Sequence, residues 1–233
     1  KSLHPDNVNI LLNSHHHVDH IRGNNSFTRA VIMAHPLEKE AMGNILKTVA
    51  ADGWNELMDD DISEHVNELS INEPAPLESW HVDETFNDGQ VIRCGGTEIV
   101  VIETPGHTAG HCSFLFPREN FIFTADICLT RVGPWYGDPD TSMEDFINSI
   151  DRIISMKPSS LATGHLMEIL NDNIPETLVK YRDRIYRREE RIMNFLKEGP
   201  ASINEIAGKK FIYPLHPTTF VLYWEKAMIK KHL

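Results

Sequence analysis

The stretch Ser14-His15-His16-His17-Val18-Asp19-His20 places His15, His17, Asp19 and His20 at the spacing H-x-H-x-D-H. Imidazole nitrogens and a carboxylate oxygen suit Zn, Mn or Fe(II), and this spacing can hold two such ions side by side. A bound divalent ion can turn water into hydroxide near neutral pH, so the chemistry indicated is hydrolysis. Two more histidines arrive in polar loops, in Thr104-Pro105-Gly106-His107-Thr108-Ala109-Gly110-His111 and in Thr163-Gly164-His165. Asp126, just past the apolar run Phe121-Ile122-Phe123, is a carboxylate whose burial would be costly unless a metal or another cation compensates it. One isolated histidine would mean little; the combination points to a metal centre.

The elements that must position these groups follow from the hydrophobic pattern. Val8-Asn9-Ile10-Leu11-Leu12 reads as a short strand that delivers the first ligands into a loop. Ala30 to Ala34 reads as a second strand, followed by a helical stretch from Pro36 to about Ala51. Residues 52–80 lose any period and are a candidate segment over a cleft, in which Trp54, Leu57, Met58 and Trp80 either cover a substrate or pack the segment down. Strands are expected at 91–94, 97–102, 112–116 and 121–124, a helix over 142–156, and a short strand at 161–163 that leads to His165. From Ile174 the pattern predicts a long arginine- and glutamate-rich helix ended by Gly199-Pro200. A short helix capped by Ser202 and Glu205 and a third helix over 220–231 complete it. The division expected is a catalytic domain over 1–173 and a helical extension over 174–233, resembling part of a winged helix. The first strand lacks neighbours in the sequence ahead of it, so further strands upstream of residue 1 are expected, and the final helical pattern stops short.

These motifs, Ser14-His15-x-His17-x-Asp19-His20, Pro105-Gly106-His107-Thr108-x-Gly110-His111, Thr124-x-Asp126 and Gly164-His165, resemble those of the metallo-β-lactamase fold superfamily, in the same order from Ser14 to His165. The resemblance implies an α/β chain folded as a four-layer αβ/βα sandwich. It implies that His15, His17 and His107 hold one metal, that Asp19, His20 and His165 hold the other, and that Asp126 bridges them. Two cations about 3.5–4 Å apart can share a hydroxide, orient a carbonyl or phosphoryl group and stabilise the developing oxyanion. Asp19 and Asp126 are thus the catalytic candidates, Asp19 also orienting the nucleophile. His16 and His111 are not carried over as ligands; hydrogen bonding behind the ligands is expected of His16 and packing of His111.

The superfamily includes thioesterases resembling glyoxalase II, lactonases, β-lactamases, ribonucleases and diiron oxygen reductases. True β-lactamases carry cysteine where Asp126 stands, and the diiron reductases usually carry glutamate where His17 stands, so both readings weaken. Hydrolysis of a small thioester, ester or lactone by a dinuclear site leads, with Zn as the metal expected and Fe or Mn as alternatives. The alternative activity is a phosphodiesterase acting on single-stranded RNA, for which Arg182, Arg184, Arg187, Arg188 and Arg191 would supply phosphate contacts unless they form a solvated ladder with Asp183, Glu189 and Glu190. A metal-stabilised binding domain without activity is the third reading. Trp135-Tyr136, in a loop set by Gly133-Pro134, either sit at the cleft mouth and bind an acyl group or wedge the loop.

Composition bounds these readings. With 233 residues, 41% hydrophobic and 24% charged, the chain can bury a full core. A net charge of −12 disfavours a protein that holds nucleic acid through its overall field. No apolar run is long enough for a membrane span and the first residues are no secretory signal, so a cytoplasmic protein acting on a small molecule is the default, as a single chain or a homo-oligomer. Cys94, Cys112 and Cys128 lack C-x-x-C spacing and are expected to be small core residues in strands.

Overall fold

A computed structural model describes residues 4–43, 47, 53–58, 80–166 and 168–233. The chain divides into two compact units, Lys1–Asn87 and Asp88–Leu233.

The first unit holds a parallel sheet of order β1-β2-β3, with β1 Ile10–Leu12, β2 Val31–Ala34 and β3 Glu84–Thr85. Ile10 pairs with Val31 and Leu12 with Met33, and the Asn13 N–H continues the ladder to the Met33 carbonyl at 2.9 Å. Parallel pairing sends both chains out of the same edge of the sheet, so the segments after β1 and β2 emerge together. A helical turn, α1 (Val18–Ile21), follows β1 and buries Ile21 against Ala34, Met42, Trp80 and Val82. Trp80 and Trp54, both nearly buried, are packing residues rather than exposed covers, while most of the 52–80 segment lies outside the described residues. In place of the start of the helix expected from Pro36 there are two 3-10 turns, Pro36–Glu38 and Ala41–Gly43. The His35 ring accepts the Leu37 N–H at 3.3 Å, a local bond that competes with regular helix at that point. The rest of that stretch, apart from Lys47, lies outside the described residues.

The second unit is built on a five-stranded sheet of order β4-β5-β6-β7-β8, comprising Val91–Cys94, Thr97–Glu103, Cys112–Phe116, Phe121–Phe123 and Ser160–Ala162. The first three pairings are antiparallel and the last is parallel, so β5, β7 and β8 all run the same way. Their carboxyl ends, and the amino end of β6, therefore share one edge of the sheet. A parallel pair cannot be joined by a tight turn, and α2 (Met143–Met156) makes the crossover from β7 to β8. Ser142 caps it by accepting the Asp145 N–H at 3.1 Å, and its apolar side buries Phe146, Ile150 and Ile153 completely. Each such side chain contributes about 1.5–3 kcal/mol.

Three further helices belong to this unit: α3 (Ile174–Leu196), α4 (Ile203–Ala207) and α5 (Thr219–His232). Leu178, Tyr181, Ile185 and Ile192 of α3 join the core formed by Ile122, Phe146, Ile150 and Leu161, with Met228 and Ile229 of α5. Ser202 and Glu205 form the expected capping box. Glu225, fully buried on α5, accepts the Ile212 and Tyr213 N–H groups at 3.1 and 2.7 Å and so ties the linking segment to the helix. Among the described residues no helix is long and apolar enough to cross a membrane. The three cysteines are free; Cys112 in β6 is buried as expected, Cys128 is buried but lies past β7 and outside any strand, and Cys94, at the end of β4 beside the Gly95-Gly96 turn, is exposed.

Candidate metal centre

Within the first unit, the segment leaving β1 gathers its histidines through α1. His17 is the residue before the helix, and its carbonyl accepts the His20 N–H at 3.0 Å. That turn returns His20 toward His15, whose ring centroids lie 4.2 Å apart, while the rings of His15 and His17 are 4.7 Å apart and nearly perpendicular. The ligand atoms of His15 lie within 4.8 Å of those of His17 and of His20. His15 is fully buried, His17 and His20 are half-buried, and the Asp19 carboxylate, 3.5 Å from His20 Nε2, is exposed.

His16 points elsewhere. Its Nδ1–H and its backbone N–H both donate to Glu38 Oε2, at 2.5 and 2.8 Å. Glu38 is 1% exposed and sits in the turn after β2, so a buried carboxylate grips the main chain between His15 and His17. This agrees with a hydrogen-bonding role for His16, and it adds a residue that no local motif singles out. Only the parallel pairing of β1 and β2 makes the two segments neighbours.

Within the second unit, His107, Asp126 and His165 leave the carboxyl ends of β5, β7 and β8, the common edge described above. The loops are tied to one another: the Thr124 N–H donates to the Ala162 carbonyl at 2.9 Å and the Gly164 N–H to the Ala125 carbonyl at 2.8 Å. Ala125 takes a left-handed φ of +42°, which costs an L-residue about 1–2 kcal/mol. That kink lies immediately before Asp126. Asp126 Oδ2 then lies 3.1 Å from His165 Nε2 and 3.4 Å from His107 Nε2, so one carboxylate oxygen faces two imidazoles. Asp126 is 6% exposed and His107 3%, while the His165 side chain is 40% exposed and opens the cluster to solvent.

The ring orientations are set by groups behind the cluster. His107 Nδ1 is 3.3 Å from the Trp135 carbonyl, which can only accept, so Nδ1 carries the proton and Nε2 is presented toward Asp126. His111 does more than pack: its Nδ1–H donates to the Thr104 carbonyl at 3.0 Å and its Nε2 accepts the Asp126 N–H at 3.2 Å. With both ring nitrogens engaged, His111 holds the backbone of Asp126 from beneath. Gly106 lets α2 approach the ligand loop; at φ +124° a Cβ there would lie 2.4 Å from Phe146 Cα. Ser149 of α2 also donates to the Pro105 carbonyl at 2.7 Å.

Tyr136 does not line a cleft mouth. It is fully buried, its hydroxyl is 2.8 Å from His232 Nε2 and 3.1 Å from an Arg188 nitrogen, and burial pushes its pKa above the usual phenol value. The arginines of α3 are engaged in the same way. Arg182 pairs with Asp151 and Asp183 at 2.5 and 3.1 Å, Arg184 donates to the carbonyls of Thr130 and Arg131, Arg188 is 4% exposed, and Arg191 donates to the Phe211 carbonyl at 2.6 Å. Arg187 is exposed, and it does not by itself make a phosphate track.

The described His and Asp side chains thus offer donors that suit divalent cations, with capacity in the chain for one or two ions. The donor set fits such an ion: Asp126 is a buried carboxylate with imidazole nitrogens of His107 and His165 beside it, and a cation held among them would compensate its charge.

Comparison with known proteins agrees with this donor set. A hydroxyacylglutathione hydrolase of Chelativorans sp. is 34% identical over 119 residues, covering 50% of this chain and 32% of that protein. Another hydroxyacylglutathione hydrolase, from Mesorhizobium japonicum, is 26% identical over 153 residues, covering 65% of this chain and 57% of that one. The chain therefore spans between about a third and three fifths of the length of these relatives. A metallo-beta-lactamase family protein from Thermus thermophilus superposes with a TM-score of 0.69 at 22% identity, covering 98% of this chain and 74% of that structure, a likeness that shows the two-sheet α/β sandwich fold. The Metallo-beta-lactamase superfamily model matches residues 1–165, the span that contains every His and Asp of both clusters, and the chain belongs to that superfamily.

Proposed function

We propose that the chain is a dinuclear metal-dependent hydrolase of a small thioester, ester or lactone. In this reading His15, His17 and His107 would hold one ion, Asp19, His20 and His165 would hold the other, and Asp126 would serve both. The observation that carries it is the single oxygen of buried Asp126 facing both His107 and His165, the arrangement expected of a bridging carboxylate. When bound, a pair of divalent cations lowers the pKa of water and polarises a carbonyl oxygen. The chain's own residues supply the rest. Exposed Asp19 would accept a hydrogen bond from the attacking water and orient it. His111 and the Trp135 carbonyl hold Asp126 and His107 in place before substrate arrives, so that little reorganisation is needed during reaction. The names of the two relatives point to acyl-glutathione hydrolysis, a thioester cleavage, and favour acyl over phosphoryl substrates. The arginine contacts of α3 point the same way, since most of these side chains are already committed to carbonyl and carboxylate partners.

The test is a parallel assay of metal-loaded protein on thioesters, lactones, simple esters and single-stranded RNA, each with a chelated control. Acyl turnover that disappears on chelation, with RNA left intact, is the expected result. More than one equivalent of metal per chain should be found, and Asp126→Asn should lower both metal content and turnover markedly. Full turnover by metal-free protein would overturn the reading.

A further inference from the structure

The loop over 130–141 is the segment that the metal chemistry leaves unexplained, and it is heavily wired to the helices of the second unit. Arg184 and Arg188 are four residues apart on α3 and so share a face. Arg184 donates to the Thr130 and Arg131 carbonyls. Arg188 donates to the Val132 carbonyl at 2.8 Å, the Pro134 carbonyl at 2.6 Å and the Tyr136 hydroxyl at 3.1 Å, with its guanidinium 5.5 Å from the Tyr136 ring centre. From α5, Lys231 donates to the Pro139 and Thr141 carbonyls at 3.0 and 2.8 Å.

Gly133 makes this wrapping feasible. Its φ is +104°, and a Cβ there would come within 2.8 Å of Arg184 Cδ and 3.1 Å of an Arg188 nitrogen. Among the described residues the hydrogen-bond acceptors of Arg188 are neutral, so oriented dipoles rather than a carboxylate hold this buried cation. That is an expensive way to gain stability, and a packed apolar side chain would serve stability as well. A guanidinium offers instead a rigid fork that fixes two carbonyls in relation to each other. Between its carbonyl partner Pro134 and its hydroxyl partner Tyr136 stands Trp135, whose carbonyl receives the His107 Nδ1–H.

We propose that Arg188 is a positioning residue for His107: by bonding the backbone carbonyls of Val132 and Pro134 ahead of Trp135 and the side-chain hydroxyl of Tyr136 after it, it holds in place the Trp135 carbonyl that fixes the tautomer and direction of the His107 ring. The helical extension thereby reaches the metal cluster without contributing a ligand. The part of this inference that concerns metal affinity rests on the dinuclear reading above; the part that concerns the His107 ring does not.

The experiment uses Arg188→Lys and Arg188→Met, with Arg191→Ala as a control that loses a bond to Phe211 outside this loop. Two quantities are read. The first is the nitrogen NMR shifts of the His107 ring in chelated protein, which report whether Nδ1 carries the proton. The second is zinc affinity, by competition with a chromophoric chelator. The native chain should show the Nδ1–H form; both Arg188 variants should show a mixed population and about 10–100-fold weaker zinc binding, with Arg188→Lys the milder. Arg191→Ala should leave both quantities unchanged. If the Arg188 variants do not fold, Gly133→Ala, which displaces the loop while keeping the guanidinium, should give the same two changes. An unchanged ring signature together with unchanged zinc affinity overturns the proposal. A native chain that takes up no zinc sinks the dinuclear reading, yet the ring signature still decides whether Arg188 orients His107.

Discussion

The ligand loops depend on individual residues whose roles are geometric. Gly106 combines a positive φ with direct contact to the α2 backbone, so Gly106→Ala must strain the loop and push against Phe146 at once. We expect a loss of at least about 1–3 kcal/mol in denaturant unfolding, together with weaker metal binding because His107 is the next residue. His111 is not proposed as a ligand, but its ring supports the Asp126 N–H. His111→Ala should therefore reduce zinc affinity by about 10–100-fold, less than Asp126→Asn, while changing the metal-to-protein ratio at saturation little. Equal losses in both, with stoichiometry reduced in both, would show that His111 coordinates directly.

Among the elements, α2 carries most of the positioning in the second unit, since it bridges β7 to β8 and touches the ligand loop through Phe146 and Ser149. Ile150 lies in the middle of its buried face and is fully enclosed. Ile150→Ala should cost about 2–5 kcal/mol in equilibrium unfolding, with the spread depending on how far the core of α2 and α3 collapses around the cavity. The helix caps are smaller contributions: Ser202→Ala should cost about 1 kcal/mol and leave metal binding untouched, because the capping box bonds only within α4 and its own first turn.

For the molecule as a whole, charge and acid response are the testable properties. The net charge of −12 and the committed arginines predict that any RNA binding is weak. Turnover of a neutral thioester should accordingly change little between about 50 and 200 mM salt, whereas cleavage through phosphate contacts would fall steeply over that range. His232, whose Nε2 is hydrogen-bonded to Tyr136 and whose Nδ1 faces Glu189, has its pKa lowered from 6.5 by burial, the Glu189 carboxylate opposing and Arg188 assisting that shift. The folded chain then binds fewer protons at this site than the unfolded chain, so its contribution is complete above about pH 6.5 and is lost as pH falls below it. His232→Phe should reduce the slope of unfolding free energy against pH below about 6.5 relative to the native chain. An unchanged slope would mean that His232 titrates alike in the folded and the unfolded chain.

How much of this was legible beforehand follows from the range over which each signal acts. Strands β4 to β8, the helices α2 to α5 and the cap at Ser202 are written in local periodicity and in side chains that bond their own neighbours, so pattern reading reaches them within a residue or two. The two-residue strand β3 has no such period and exists only because β2 offers an edge to pair with. The histidines and aspartates proposed as ligands stand out in the sequence as well, because a metal site would select those residue types and they occur in order from His15 to His165. What holds them is a different matter. Trp135 supports His107 through a carbonyl 28 positions away, Arg188 holds the Pro134 carbonyl across 54, and Glu38 grips the backbone of His16 across 22. A backbone carbonyl or N–H is the same group in nearly every residue and leaves no mark in the amino-acid string. Its partner is decided only when strands pair and helices pack. The sequence by itself therefore determined the residue types offered as donors and most of the strands and helices behind them, while the tertiary structure alone decided how the His16, His107 and His111 rings are held and which arginines are spent on the fold.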